Sequence, residues 1–231
     1  MGVIFLIRHG QASFASTNYD KLSDIGMKQG RILGEALKAR GVKPDVLVCG
    51  GMQRHRETAE QCLSALGVAP SWDEDSGWDE YDHGAMLEAY DPRFGRKTNL
   101  AAELLKTGQD PKRAFQELFS KAAARWVGGA SDEDYDESFN EFCARVGAAL
   151  TRLSARLEKS KTALVFTSGG AISAVAKQLL GLPDEGMLPL SYLIANASVT
   201  KLLAGSTGIR LSTLNEHSHF EGIDPKFLTY R

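Results

Sequence analysis

Val3-Ile4-Phe5-Leu6-Ile7-Arg8-His9-Gly10 is the stretch on which the reading of this chain turns. Five apolar residues, mostly β-branched or aromatic, run without a polar break into Arg-His-Gly. Such a run reads as a strand buried on both faces, the habit of parallel sheets. Ligands of open α/β sheets sit beyond the carboxyl ends of the strands. Arg8 and His9 stand at that end. A guanidinium offers phosphate a planar fork of donors, and a neutral imidazole is a competent nucleophile. Gly10 allows a sharp turn and a close approach of ligand.

Outward from this strand, a polar loop of residues 11–22 leads to Ser23 or Asp24, either of which can cap a helix reaching about Arg40. Asp45-Val46-Leu47-Val48-Cys49 is a second buried strand, and Gly50-Gly51 turns it into a helix over about 52–66. Strand, helix, strand, helix with short loops predicts a parallel sheet. Thr162 to Thr167 is a third buried strand, entering a helix through Ser168-Gly169-Gly170. The tail predicts two antiparallel strands, about 192–204 and 209–214. Helical pieces near 99–107 and 112–127 belong to a mainly helical insertion of about 85–135, and a long amphipathic helix follows over about 138–159. The fold class expected is α/β, three layers with a mostly parallel central sheet, in one domain over residues 1–231.

The chain has 231 residues, with 27 Lys plus Arg against 29 Asp plus Glu. That balance, and a pI of about 6.2, argues against a nucleic-acid or anionic-membrane surface. Phosphate affinity must come from arginines grouped locally. Three cysteines form no disulfide framework and read as free thiols. No signal-peptide pattern and no apolar stretch of membrane-spanning length is present, so a cytoplasmic location is expected. There is no Walker P-loop or dinucleotide fingerprint, and His217-x-His219 lacks a third metal ligand.

Five segments, in order, resemble the histidine phosphatase superfamily, which includes the cofactor-dependent phosphoglycerate mutases. Arg8-His9-Gly10 matches the tripeptide that carries the phosphorylated histidine. Leu22-Ser23-Asp24-Ile25-Gly26-Met27-Lys28-Gln29-Gly30 is similar to the helix start that follows it, with Gly30 for the usual Ala. Gly51-Met52-Gln53-Arg54-His55-Arg56-Glu57-Thr58-Ala59 resembles a Ser-Pro-x-x-Arg-Ala-x-x-Thr-Ala element, with Gly50-Gly51 for the usual Ser-Ser or Ser-Pro, so Arg54 falls on the phosphate-binding arginine and His55 replaces Ala. Its position in a first helical turn also suits an anion. Arg56 reads instead as an ion-pair partner of Glu60 at i, i+4. Trp78 to Gly84 resembles the segment whose carboxyl protonates the leaving oxygen; Glu80 matches, with Asp79 and Asp82 as alternatives. The fifth segment departs from the pattern: Ser168 precedes Gly169-Gly170 where the family has a second, phosphate-binding histidine. Either the pocket is weakened, or His55, His83, His217 or His219 fills the space, the first two ranking higher.

The resemblance implies a phosphatase acting on phosphate monoesters of small molecules through a phosphohistidine on His9. Arg8, Arg54, Ser168 and Gly169 would form the anion pocket and Glu80 would serve the leaving group, with no metal or organic cofactor. A catalytically weakened phosphate-binding protein and a phosphoglycerate mutase-type phosphotransferase are the alternatives. Against the mutase, the 11–21 loop lacks the family's Ser-x-Trp-Asn. A serine hydrolase built on Ser168, Asp184 and His217 would need glycine where Phe166 stands. Arg93, Arg96, Lys97, Lys112 and Arg113 in the insertion offer charge to an acidic substrate. The sequence does not reveal the substrate or the oligomeric state.

Overall fold

A computed structural model of the chain describes residues 1–13 and 20–230. The loop of residues 11–21 that bears on the mutase comparison therefore falls largely outside the described residues. Strand β1 (Gly2–Arg8) ends on Arg8. Helix α1 (Asp24–Ala39) follows, with the Ser23 hydroxyl accepting from the Gly26 N–H at its start. Strand β2 (Val46–Cys49) leads into α2 (Gln53–Leu66), which Gly67 ends in a left-handed conformation. A two-residue strand, β3 (Asp73–Glu74), comes next, then helices α3 (His83–Tyr90), α4 (Lys97–Lys106), α5 (Pro111–Val127) and α6 (Phe139–Arg156). Strand β4 (Thr162–Thr167), helices α7 (Gly169–Leu180) and α8 (Met187–Leu193), and the hairpin β5 (Val199–Gly205) with β6 (Gly208–Glu216) complete the order.

The six strands form one sheet in the order β3-β2-β4-β1-β5-β6. The first four are mutually parallel, and β5 and β6 add antiparallel pairings. Strands β1 and β4 lie inside the sheet, which is why both read as unbroken apolar runs. Their register pairs Ile7 with Phe166 and Arg8 with Thr167, so the residues that follow, His9 and Ser168, emerge side by side. On one face, Ile7, Cys49, Leu164, Phe166 and Val199 form a core with Leu33 and Leu37 of α1 and Ala59, Cys62 and Leu63 of α2.

The tail differs from the expectation. Residues 187–193 are helical, and β5 begins only at Val199. Ala197 adopts φ 53°, a left-handed conformation that no strand accommodates. The chain divides into two compact units, Met1–Glu80 with Arg145–Arg231, and Tyr81–Ala144. The second is helical and wider than the 85–135 read from sequence. Its aromatic core explains the margins: Trp126 stacks on Tyr81 at 4.6 Å between ring centroids and meets Phe139 edge-on at 5.2 Å. Among the described residues no helix is long and apolar enough to cross a membrane.

Candidate active site

The candidate site lies at the carboxyl ends of β1, β2 and β4, within the unit that holds the sheet. The backbone first brings the pieces together. The His9 N–H donates to Thr167 O at 2.8 Å, and the His9 carbonyl accepts from the Ala197 N–H and the Asn196 side-chain amide, both at 3.2 Å. Gly10 is needed here for closeness: a Cβ on it would lie 2.5 Å from the Gly26 carbonyl oxygen, so the loop after β1 packs directly on the backbone of α1.

His9 is buried. Its Nδ1 lies 2.7 Å from the Gly10 carbonyl oxygen. A carbonyl only accepts, so Nδ1 carries the proton and Nε2 keeps its lone pair. Burial pushes the imidazole well below its ordinary range, and Arg54, Arg8 and His55 reinforce the shift. The ring is therefore neutral at physiological pH and presents an unprotonated nitrogen.

Two guanidiniums flank it. Arg8 donates from Nη1 to the carbonyls of Ile194 and of Tyr230, the latter at 2.9 Å. Gly169 leaves room for it, since a Cβ there would come within 3.4 Å of Arg8 Nε. Arg54, also buried, pairs through Nη1 with Asp20 Oδ1 at 2.7 Å. Its Nε is buried with no hydrogen-bond acceptor among the described residues. A buried guanidinium N–H without an acceptor costs stability unless a ligand meets it. Asp20 was not singled out in the sequence; its other oxygen accepts from the Gln53 N–H at 2.7 Å, capping α2. Only its place two residues before Leu22, in a loop tied to a helix start, hinted at this.

Arg56 does not pair with Glu60. It donates to the Gly51 carbonyl oxygen at 2.5 Å and reaches Glu74 Oε2 at 3.3 Å. The edge strand β3, unforeseen in the sequence, brings Glu74 alongside β2.

Glu80 Oε2 accepts from the Gly170 N–H at 3.0 Å, so this carboxyl sits at the amino end of α7. The alternatives are engaged differently. Asp79 Oδ1 accepts from the Gly51 N–H at 2.6 Å. Asp82 caps α3 through the Gly84 and Ala85 N–H groups. The turn carrying Asp79 and Glu80 is pinned by Thr167, whose hydroxyl donates to the Trp78 carbonyl, and by Arg145, whose guanidinium donates to the carbonyls of Ser76 and Asp79. Arg145 was not recognised from sequence, because its partners are backbone atoms 66 to 69 residues away.

The histidines separate clearly. His55 Nε2 lies 2.7 Å from Ser168 Oγ, and its ring centroid is 5.8 Å from that of His9. His83 packs edge-on against Tyr81 and Phe119 inside the helical unit. His217 Nδ1 bonds the Asn215 carbonyl, and His219 Nε2 the Ala197 carbonyl. Asp184 pairs with Lys177, so the structure does not assemble Ser168, Asp184 and His217 as a triad. In the insertion, Arg93 pairs with Asp91 and Arg113 with Glu117. The Lys97 and Lys112 side chains are outside the described atoms. No described group of three His, Cys, Asp or Glu side chains is arranged to hold a metal ion.

Comparison with known proteins extends the resemblance over the whole sheet. A 2,3-bisphosphoglycerate-dependent phosphoglycerate mutase from Chelativorans sp. is 25% identical over 214 residues, covering 89% of this chain and 95% of that one. A phosphoserine phosphatase from Entamoeba histolytica, solved with phosphoserine, superposes with a TM-score of 0.64 at 16% identity, covering 95% and 99% of the two chains. A mycobacterial glucosyl-3-phosphoglycerate phosphatase, solved with inorganic phosphate, gives 0.60 at 21%, covering 94% and 98%. These structural likenesses speak for the fold. The model of the histidine phosphatase superfamily (branch 1) matches residues 4–217, running from the first apolar strand past the hairpin, and the chain belongs to that superfamily.

Proposed function

We propose that this protein is a phosphatase that hydrolyses phosphate monoesters of small molecules through a phosphohistidine on His9. The observation that carries the reading is the state of that imidazole. It is buried between two guanidiniums, and its Nδ1–H is committed to the Gly10 carbonyl, so Nε2 is free to attack. Arg8 and Arg54 spread the charge that develops on the phosphoryl oxygens. The buried Arg54 N–H that has no acceptor among the described residues supports an anion at that point.

In the first step His9 Nε2 forms a bond to phosphorus as the ester P–O bond breaks. The departing alkoxide takes a proton from Glu80, since an unprotonated alkoxide is a poor leaving group. In the second step the Glu80 carboxylate takes a proton from water, whose oxygen attacks phosphorus. The P–N bond breaks, inorganic phosphate leaves and His9 returns to its neutral form. Every proton is accounted for by Glu80 and water, and the steps use groups of this chain alone.

The similarity to a phosphoglycerate mutase favours one second reading, in which the phosphohistidine passes its phosphate to a sugar acid instead of water. The two readings share the first step and differ in the acceptor. The test is a panel of small phosphomonoesters, with phosphoglycerates and 2,3-bisphosphoglycerate included, assayed for both released phosphate and isomer exchange. Base-stable, acid-labile phosphate should be trapped on wild-type protein and be absent from His9→Ala. A folded His9→Ala that keeps more than about a tenth of wild-type kcat would exclude the covalent role, because losing a nucleophile costs orders of magnitude.

A further inference from the structure

Three departures from the family pattern, scattered over 119 residues of sequence, meet at one point. Gly50 stands where a side chain is usual, His55 replaces a small residue, and Ser168 stands where a histidine is expected. In the fold, His55 Nε2 faces Ser168 Oγ at 2.7 Å, and both residues are fully buried. A Cβ on residue 50 would lie 2.3 Å from His55 Nδ1 and 2.7 Å from Asp79 Oδ1. Gly50 and Ser168 thus supply the space that the ring of His55 fills. Behind the ring, Nδ1 has no hydrogen-bond partner among the described residues, and Asp79 Oδ1 stands 3.7 Å from it.

We infer that His55 brings the second imidazole to the anion pocket from helix α2, acting through the hydroxyl of Ser168. The inference rests on the proposed phosphate-binding role of His9, Arg8 and Arg54. By strand register Ser168 emerges beside His9, and the His55 ring it contacts lies 5.8 Å from the His9 ring between centroids. With Nε2 protonated, the ring donates to Ser168 Oγ. The serine hydrogen is then left to donate to a phosphoryl oxygen. A histidine at 168 would make that contact directly; here the imidazole makes it by way of a bridging hydroxyl. His55 is a positioning residue, and Ser168 is the group that touches the anion. The backbone of Ser168, at φ −117° and ψ 167°, is ordinary extended chain. It is not the strained turn that thrusts a nucleophilic serine forward, and the hydroxyl is assigned a donor role.

Calorimetric affinity for inorganic phosphate tests this on the full chain, independently of turnover. His55→Ala should weaken phosphate binding by about tenfold, the order expected for losing one hydrogen bond to a charged group. The double variant His55→Ala with Ser168→His should return to within about threefold of wild type. His55→Gln, which keeps a side-chain N–H for Ser168, should bind more tightly than His55→Ala and guards against a folding defect in the smaller variant. Ser168→Ala with His55→Ala should be no weaker than the weaker single variant, since the line acts as a unit. The inference is overturned if folded His55→Ala binds within twofold of wild type, or if neither the exchange nor the glutamine recovers affinity. Covalent phosphate or a fluorophosphonate label on Ser168 would also overturn it. Phosphate binding that depends on His55, with none trapped on His9, defeats the hydrolase reading alone. Wild-type protein that does not bind phosphate defeats both.

Discussion

Arg54 and Arg56 are two positions apart on one helix and do different work. Arg54 is buried with one N–H that has no acceptor among the described residues, while Arg56 is bound to Gly51 and Glu74. Arg54→Ala should weaken vanadate or phosphate binding by about 10- to 100-fold, as expected for a charge-assisted, buried contact. Arg56→Ala should change it by less than about threefold, because exposed pairs contribute roughly 0–1 kcal/mol. Equal losses would mean that the helix presents a different face to the anion. His9 makes a second residue-scale prediction. With its pKa held well below the usual 6.5 by burial and by Arg54 and Arg8, its nitrogen-15 shifts should stay those of a neutral, Nδ1-protonated ring from pH 8 to below pH 6.5. Arg54→Ala should move the titration upward, since it removes a repelling charge. A ring that titrates at or above 6.5 in the wild type contradicts the nucleophile assignment.

Helices α1 and α2 pack backbone to backbone, and glycine makes that possible. A Cβ at residue 34 would lie 2.2 Å from the Cys62 carbonyl oxygen and 2.8 Å from Ala65 Cβ. Gly34→Ala should therefore cost about 1–3 kcal/mol as the helices separate. Chemical denaturation should show a lowered midpoint with the cooperativity slope unchanged, and an unaltered midpoint would mean the helices yield without strain. At this scale the sequence was informative wherever burial is two-sided. β1, β2 and β4 were legible because interior parallel strands need continuous apolar runs, and α1 because Ser23 caps it. Strand β3 was not, since Asp73-Glu74 is two polar residues at a sheet edge and has no pattern to read. Helix α3 was missed because it is eight residues long with a glycine in its first turn. The strand expected from about 192 overlaps only the last two residues of α8, and the helix itself has no legible pattern because seven residues are too few to separate the two periods. In the site, the motif residues around β1, α2 and β4 were legible from their order. Asp20 and Arg145 were not, because they act through contacts that no local spacing encodes.

Over the whole molecule, several imidazoles are folded in their neutral form. Burial lowers His9 and His55 well below 6.5 and lowers His219 to about 4. Below pH 6.5 the unfolded chain takes up protons on these rings that the folded chain refuses, so the unfolded state binds more protons and stability falls as the pH falls. The slope reaches at most about 4 kcal/mol per pH unit where all three rings differ fully. Asp79, whose carboxyl burial pushes upward, opposes this trend only nearer the carboxylate range. Urea midpoints measured from pH 7.5 to 5 should drop steeply below 6.5, and His219→Gln should flatten the slope by about a third. A flat profile would mean the rings are protonated in the fold. The anchoring of Arg8 to the carbonyl of Tyr230, 222 residues downstream, has a consequence in time. A ribosome adding about 5–20 residues per second takes roughly 10–45 seconds to travel from one to the other. Strand β1 must wait for β4 and β5 on either side and then for residue 230. A nascent chain can complete its α1–α2 pair long before Arg8 has found all its partners, so the anion pocket comes into being well after the helix pair beside it.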